Sequence, residues 1–267
     1  MKKVLLSLLF TAIVALSANA QGLYVGAGAG YGFRAGSTVF GTEYKSDGSY
    51  HSVRSSYGIG FVPNICVGYI LPNNFGFEVA LGSTIGHKIV IKDDFGTTTG
   101  KTTLTATSFY VNPSFIVRAN EELRVVPYAK IGMLFGGAMA KNTAHADHFS
   151  PATGALTSTD DTETKYKGHL LTGLTTAFGM DWMISPRFAV FGELTARVAS
   201  WAPGSYTITN THVPYAGGVA QPSTVTSVSG NYEKDIPANY TGTNAPKTVL
   251  PFSAVGFNVG VKLYLSK

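Results

Sequence analysis

The chain has 267 residues, of which only 13% are charged, with 31 glycines, a single cysteine and a formal charge of +5. The lone Cys66 excludes an intrachain disulfide, and the Lys and Arg residues are too scattered to form the basic stripe of a nucleic-acid surface. A charged share about half that of an ordinary soluble domain argues against a conventional solvated exterior.

Residues 1–20 read as a cleaved signal peptide. Lys2 and Lys3 give a positive start, Val4 to Leu16 is a nearly unbroken apolar run, and Ala18-Asn19-Ala20 supplies the small residues that a signal peptidase reads. The run is too short to span a bilayer as a helix, and no later segment approaches about eighteen apolar residues in a row. Removing this segment leaves 18 basic and 15 acidic residues, a formal charge of +3. A chain exported in this way, poor in charge and without a membrane helix, is expected to be either a secreted β-sandwich or a membrane β-barrel.

From Gln21 onward, period-2 alternation recurs eight times. In 22–33, Leu23, Val25, Ala27 and Tyr31 oppose Gly26, Gly28, Gly30 and Gly32. In 57–71, Ile59, Phe61, Ile65, Val67 and Tyr69 oppose Gly58, Gly60, Asn64 and Gly68. Segment 75–86 sets Phe75, Phe77, Val79, Leu81 and Ile85 against Gly76, Glu78, Gly82 and Thr84. Segment 107–119 sets Phe109, Val111, Phe115 and Val117 against Tyr110, Asn112, Ser114 and Arg118. In 123–136 the apolar face is Leu123, Val125, Ile131, Met133 and Phe135, opposite Arg124, Tyr128, Lys130 and Gly136. In 170–183 it is Leu170, Leu174, Phe178, Met180 and Trp182, opposite Gly173, Thr175, Gly179 and Asp181. In 187–200, Phe188, Val190, Leu194 and Val198 oppose Arg187, Glu193 and Arg197. In 255–265, Val255, Phe257, Val259, Val261, Leu263 and Leu265 oppose Gly256, Asn258, Gly260, Lys262 and Tyr264.

The connections alternate in length. Pro72-Asn73-Asn74, Asn120-Glu121-Glu122 and Ser185-Pro186 are tight turns, whereas 34–56, 87–106, 137–169 and 201–251 are long. All long loops then emerge on one side and both termini lie on the other, as in outer-membrane barrels with short periplasmic turns. Each segment is long enough to cross a bilayer when tilted, for which about 9–11 residues suffice. The expected fold is therefore an eight-stranded antiparallel transmembrane up-and-down β-barrel over 21–267, with long extracellular loops and periplasmic termini. Outward aromatics fall near the strand ends: Tyr69, Phe75, Trp182 and Phe188 on the turn side, Phe33, Tyr57, Phe109 and Phe135 on the loop side. Pro63, Pro113 and Pro127 lie inside proposed strands and predict bulges or local edges. Segments 206–213 and 224–229 alternate weakly, so 201–251 is expected to form a small external sheet, with a ten-stranded barrel as the alternative.

With these features the chain resembles the small outer-membrane β-barrel family, which includes OmpA-type membrane domains and OmpX- and OmpW-like proteins. The resemblance covers 21–267. It is carried by the signal peptide, the Gly-rich first strand Gly22-Leu23-Tyr24-Val25-Gly26-Ala27-Gly28 and the last strand Val255 to Tyr264. It implies a barrel without the peptidoglycan-binding domain that follows many OmpA-type barrels, so a role as a wall tether is not expected.

The most specific chemistry is a set of charges on the lumen register: Glu78, Asp181 and Glu193 against Arg118, Arg124, Lys130, Arg187, Arg197 and Lys262. An eight-stranded barrel is just wide enough for side chains to fill, so these charges are expected to pair as a network that plugs the lumen. The alternative is a narrow, slightly anion-preferring pore, or a lateral conduit for hydrophobic molecules past Pro63 or Pro113. The glycines at 26, 28, 30 and 32 lack the spacing of a nucleotide loop and are expected to make room for Arg and Tyr from facing strands. His145-Ala146-Asp147-His148 offers metal-ligand types without supporting ligands, and Asp160-Asp161-Thr162-Glu163 reads as a solvated tip. His51-Ser52 and His212 are the only candidates for a rim hydrolase, and neighbours on a strand point opposite ways, so His51 and Ser52 form no dyad by adjacency. The expectation is a non-enzymatic monomer without cofactor or metal. It would contact outer-membrane lipids and lipopolysaccharide, and its loops would meet any extracellular ligand.

Overall fold

The computed structural model describes residues 22–36, 38–119, 123–237 and 241–265. Segment 1–20, expected to be a signal peptide, the expected turn at Asn120-Glu121-Glu122 and the last two residues, Ser266 and Lys267, lie outside the described residues. No helix occurs among those described. The strands are β1 (Leu23–Arg34), β2 (Val39–Tyr44), β3 (Tyr50–Arg54), β4 (Gly60–Ile70), β5 (Phe75–Gly86), β6 (Ile89–Asp94), β7 (Thr98–Arg118), β8 (Val125–Phe149) and β9 (Leu156–Lys167). They continue with β10 (Leu170–Ser185), β11 (Phe188–Trp201), β12 (Ser205–Ala216), β13 (Val219–Ala220), β14 (Thr224–Glu233), β15 (Ala245–Pro246), β16 (Leu250–Pro251) and β17 (Ala254–Tyr264).

Eight of these strands close into a ring. β1 pairs with β4, β4 with β5, β5 with β7, β7 with β8, β8 with β10, β10 with β11, β11 with β17, and β17 returns to β1, every pair antiparallel. Closure removes the free edges an open sheet would present. The ring strands put their apolar register outside: Ile65, Phe77, Leu81, Phe109, Ile131, Phe178, Leu194, Val198 and Val259 are all exposed. The opposite register fills the interior, where Tyr24, Ile116, Val126, Leu134, Asp181, Trp201 and Tyr264 are fully or almost fully buried.

Glycine makes the narrow interior possible. A Cβ on Gly68 would stand 2.3 Å from the Tyr24 ring, and one on Gly82 would stand 2.6 Å from the Tyr110 ring. In β1 the glycines yield space to different neighbours than expected. Gly26 faces the Cys66 thiol, Gly28 faces Phe191 and Asn258, and Gly30 and Gly32 lie against backbone carbonyls of Phe257 and Gly58.

The long connections differ from the sequence reading, because much of 87–106 and 137–169 is strand. β7 and β8 run past the ring and continue together as a second, outer sheet. The first half of β8, Val125–Gly137, pairs with β10, and the second half, Ala140–Phe149, pairs with β9. The outer sheet is ordered β6-β7-β8-β9-β12-β14. Segment 201–251 thus adds an external hairpin and no ring strand, because its Thr, Ser and Asn faces offer no apolar register to turn outward.

The prolines also differ from expectation. Pro63 lies opposite Ala29, Pro113 opposite Val79 and Pro127 opposite Met180, with no extra residue inserted. The β4–β5 ladder skips from Phe61 to Asn64 and the β7–β8 ladder from Val111 to Ser114, and the register is the same on either side of each gap. Each missing N–H removes bonds locally without shifting the strand.

Candidate functional site

The interior is filled in layers. Near the turn end, Tyr24, Ile70, Ile116, Tyr128, Ala189 and Tyr264 pack together around Asp181. Asp181 accepts hydrogen bonds from Lys262 Nζ at 2.8 Å and from the Tyr264 hydroxyl at 3.0 Å, and Arg118 Nε lies 3.8 Å away. The Lys262 ammonium also sits 4.0 Å from the centre of the Tyr128 ring. Above this layer, Lys130 Nζ bridges two carboxylates, Glu78 at 2.8 Å and Glu193 at 2.5 Å. The Tyr24 hydroxyl donates to Glu78 at 2.6 Å and the Tyr128 hydroxyl to Glu193 at 2.7 Å. The two ionic groups are therefore joined through tyrosines into one buried array, in which each carboxylate keeps at least two donors. Buried charge persists only on such terms.

The structure brings seven of the nine predicted charges inside: Glu78, Arg118, Lys130, Asp181, Glu193, Arg197 and Lys262. Arg124 and Arg187 are corrections. Both are exposed at the turn-end rim, and the Arg124 guanidinium lies 5.8 Å from the outward Trp182 ring. Each precedes the first residue of its strand, so the alternation that sets the lumen register does not reach it.

An apolar cap closes the loop end. Trp201, Phe252, Tyr57, Leu134 and Leu171 are buried together with Ile89, Ile91 and Leu104, and Phe40 and Val53 of the β2–β3 hairpin pack against them. Tyr57 stacks on Phe252 at 5.6 Å, and Trp201 meets Phe252 edge-on at 6.1 Å. The Trp201 indole N–H donates to the carbonyls of Gly168 and His169. Tyr57 is a correction to the outward aromatics: it precedes β4 and turns inward under this cap. Between cap and array lies a cavity of about 110 Å³, lined by Asn64, Asn112, Thr175, Asn258, Lys130 and Arg197 among others.

A second set of polar contacts sits on the outer sheet. The run 160–163, expected at a solvated tip, lies within β9 and is paired on both sides. On one face His145 of β8 places Nδ1 2.7 Å from Asp161 and Nε2 3.2 Å from Asp147. On the other face Asp160 meets His148 Nε2 at 2.9 Å and His212 Nδ1 at 2.7 Å, while Thr98 Oγ1 lies 3.2 Å from His148 Nδ1. No group of three such side chains among the described residues converges to hold a metal ion. His212 is thus tied to Asp160, and His51 lies on β3 opposite Glu43 of β2.

His145 has carboxylates at both ring nitrogens, and only the imidazolium can donate to both. The hydrogen bond to Asp161 is the main reason its pKa is raised above the ordinary 6.5. The same face carries Lys101 from β7 and Lys141 from β8. It also carries Glu163 and Lys165 from β9, and hydrogen bonds from Lys141 and Lys165 hold the Glu163 carboxyl below its usual range. For His145 the folded state binds the proton more tightly. Its contribution is therefore complete below about pH 6.5 and is lost as pH rises through the raised value. Hydrogen exchange along β9, corrected for intrinsic rates, is expected to show better protection at about pH 5.5 than at about pH 8.5. His145→Asn should flatten that difference; an equal pH effect in this variant would contradict the assignment.

No protein-family model matches the chain, and no curated protein matches it. Among solved structures it is similar to Neisserial surface protein A, at 17% identity over 92% of this chain and 98% of that one, with a TM-score of 0.31. It is similar also to a major outer membrane protein from Thermus thermophilus, at 12% identity over 90% and 98%, TM-score 0.34. A third is Acinetobacter baumannii CarO, at 17% identity over 90% and 96%, TM-score 0.31. With TM-scores this low, the functional reading rests on the chain's own geometry.

Proposed function

We propose that this chain is an integral outer-membrane β-barrel with a closed lumen, whose working surface is the outer sheet. The observation that carries this reading is the pairing of an exposed apolar belt around the ring with an interior filled by the Trp201 cap and the Lys130 and Asp181 groups. An exposed apolar surface that encircles a protein far exceeds the few hundred Å² usual for soluble monomers, and hydrocarbon is the solvent that suits it. The termini then face the periplasm, and the outer sheet projects beyond the lipopolysaccharide leaflet. The barrel is an inert, monomeric scaffold, and the role is envelope integrity, surface contact or adhesion rather than catalysis.

The test is conductance. The mature chain, residues 21–267, refolded into planar bilayers and shown to be folded by heat-modifiable gel migration, is expected to give no single-channel steps. Steady, salt-dependent steps would overturn the closed lumen and favour the pore reading.

A further inference from the structure

The outward register of the ring does not stop where the ring stops. Along β8, Ile131, Met133 and Phe135 are followed on the same side by Met139, Lys141 and His145, while Ala138 and Ala140 turn inward and are buried in the cap. β9 keeps this parity: Tyr166 packs against the cap, and Lys165 and Lys167 are exposed on the outer side. Cross-strand pairing sets Lys141 directly opposite Lys165. Two ammonium groups so placed repel each other, and the Glu163 carboxylate holds both, one on each oxygen. Lys167 lies on the same side, two residues closer to the ring. The outward positions that flank these lysines are neutral, Thr105 on β7 and Ser205 and Thr207 on β12. Glu233 lies beyond β12, on β14, and takes a hydrogen bond from Asn244. Three lysines against one glutamate give the group a net charge of +2.

On the reading that the ring lies in hydrocarbon, we infer that Lys141, Lys165 and Lys167 form a binding site for a phosphate group of outer-leaflet lipopolysaccharide. Height is the first argument. Val125–Gly137, the part of β8 paired with β10, rises about 30 Å at about 3.3 Å per residue and a tilt of about 40°, which matches the hydrocarbon thickness. Met139 and Lys167 lie about 5 Å above that span, and Lys141 and Lys165 about 10 Å above it. Their flexible stems therefore bring three ammonium groups into the polar layer where lipid phosphates sit. Charge is the second argument. A phosphate monoester carries about −1.5 to −2 charge at pH 7, close to the opposite of what the group presents. Glu163 occupies one N–H on each of Lys141 and Lys165, which leaves two on each for phosphate oxygens. Farther up the same face the signs even out, with Lys92, Lys101 and His145 against Asp94, Asp147 and Asp161. The positive excess thus lies in the rows next to the bilayer.

The experiment measures binding of fluorescently labelled lipopolysaccharide to the refolded mature chain in neutral-detergent micelles, by anisotropy. The double variant Lys141→Gln with Lys167→Gln leaves Lys165 to hold Glu163. It is expected to weaken binding about thirtyfold, at about fivefold for each lysine near an anionic lipid surface. Lys92→Gln with Lys101→Gln removes the same charge about one Debye length farther from the bilayer and should weaken binding by less than about threefold. Equal losses in the two pairs would mean diffuse attraction and overturn the site. A second comparison needs no variant: the wild type should bind dephosphorylated lipopolysaccharide at least about tenfold more weakly, and equal affinity would overturn the phosphate assignment. Inorganic phosphate in the buffer should not displace the lipid, and displacement would show a site for the free ion instead. Insertion into phosphatidylcholine vesicles, followed by heat-modifiable migration, reports the barrel separately. A chain that inserts but ignores the phosphate loses the site alone, whereas one that fails to insert loses the membrane reading and the site with it.

Discussion

Lys130→Met is expected to destabilise the folded ring by about 3–5 kcal/mol, the usual cost of removing one partner from a buried ion pair. Lys130 is only 9% exposed, and its ammonium is the sole cation within 4 Å of either Glu78 or Glu193 among the described residues. Methionine fills similar space but leaves two buried carboxylates facing each other with only tyrosine and asparagine donors. Urea titration of the refolded protein in lipid vesicles, followed by tryptophan fluorescence, measures the loss. The triple variant that adds Glu78→Gln and Glu193→Gln is the stricter test. Its removal of all three charges should recover most of the stability, because the cost lies in unpaired charge and not in missing contacts. If Lys130→Met alone proves neutral, the array is not a structural core. If the triple is no better than the single, packing at Lys130 and not charge is what matters.

The outward face of the ring is readable in the sequence because a single physical demand governs it. Every second residue of a ring strand is apolar and turned to the outside, so Phe77, Ile131 or Val259 announces its register without any knowledge of its neighbours. The same rule misplaces two arginines. Parity does not extend past the ends of the strands to Arg124 and Arg187, where the backbone leaves the ladder. Tyr57 is misplaced for the same reason, three residues before β4 begins. The outer sheet is hard to see for the opposite reason. In β9, Ser158 to Thr164 is polar on both faces, so no hydrophobic alternation distinguishes strand from loop. Its strands are held by cross-strand pairs such as His145 with Asp161 and His212 with Asp160, which are 16 and 52 residues apart. The lumen charges are legible as a set but not as pairs. Lys262 and Asp181 are 81 residues apart, and Arg197 and Thr84 are 113 apart, so only closure of the ring decides which cation finds a carboxylate and which is left with a hydroxyl.

Two arginine substitutions separate a lipid-facing ring from a water-soluble one. Ile131 and Val225 are nearly equally exposed, at 59% and 61%, so exposure alone predicts the same tolerance at both. Ile131 lies midway along the ring portion of β8, between Val125 and Gly137, whereas Val225 lies on β14 at the margin of the outer sheet. If the ring sits in hydrocarbon, Ile131→Arg places a guanidinium near the bilayer midplane and should cost about 2–4 kcal/mol. Val225→Arg stays in water and should change stability by no more than about 0.5 kcal/mol. Urea titrations of both variants in lipid vesicles give the comparison directly. Unequal costs in this order place the belt in the membrane and the outer sheet outside it. Equal and small costs would mean that Ile131 faces water, and the apolar belt would then need a protein partner to cover it instead of lipid.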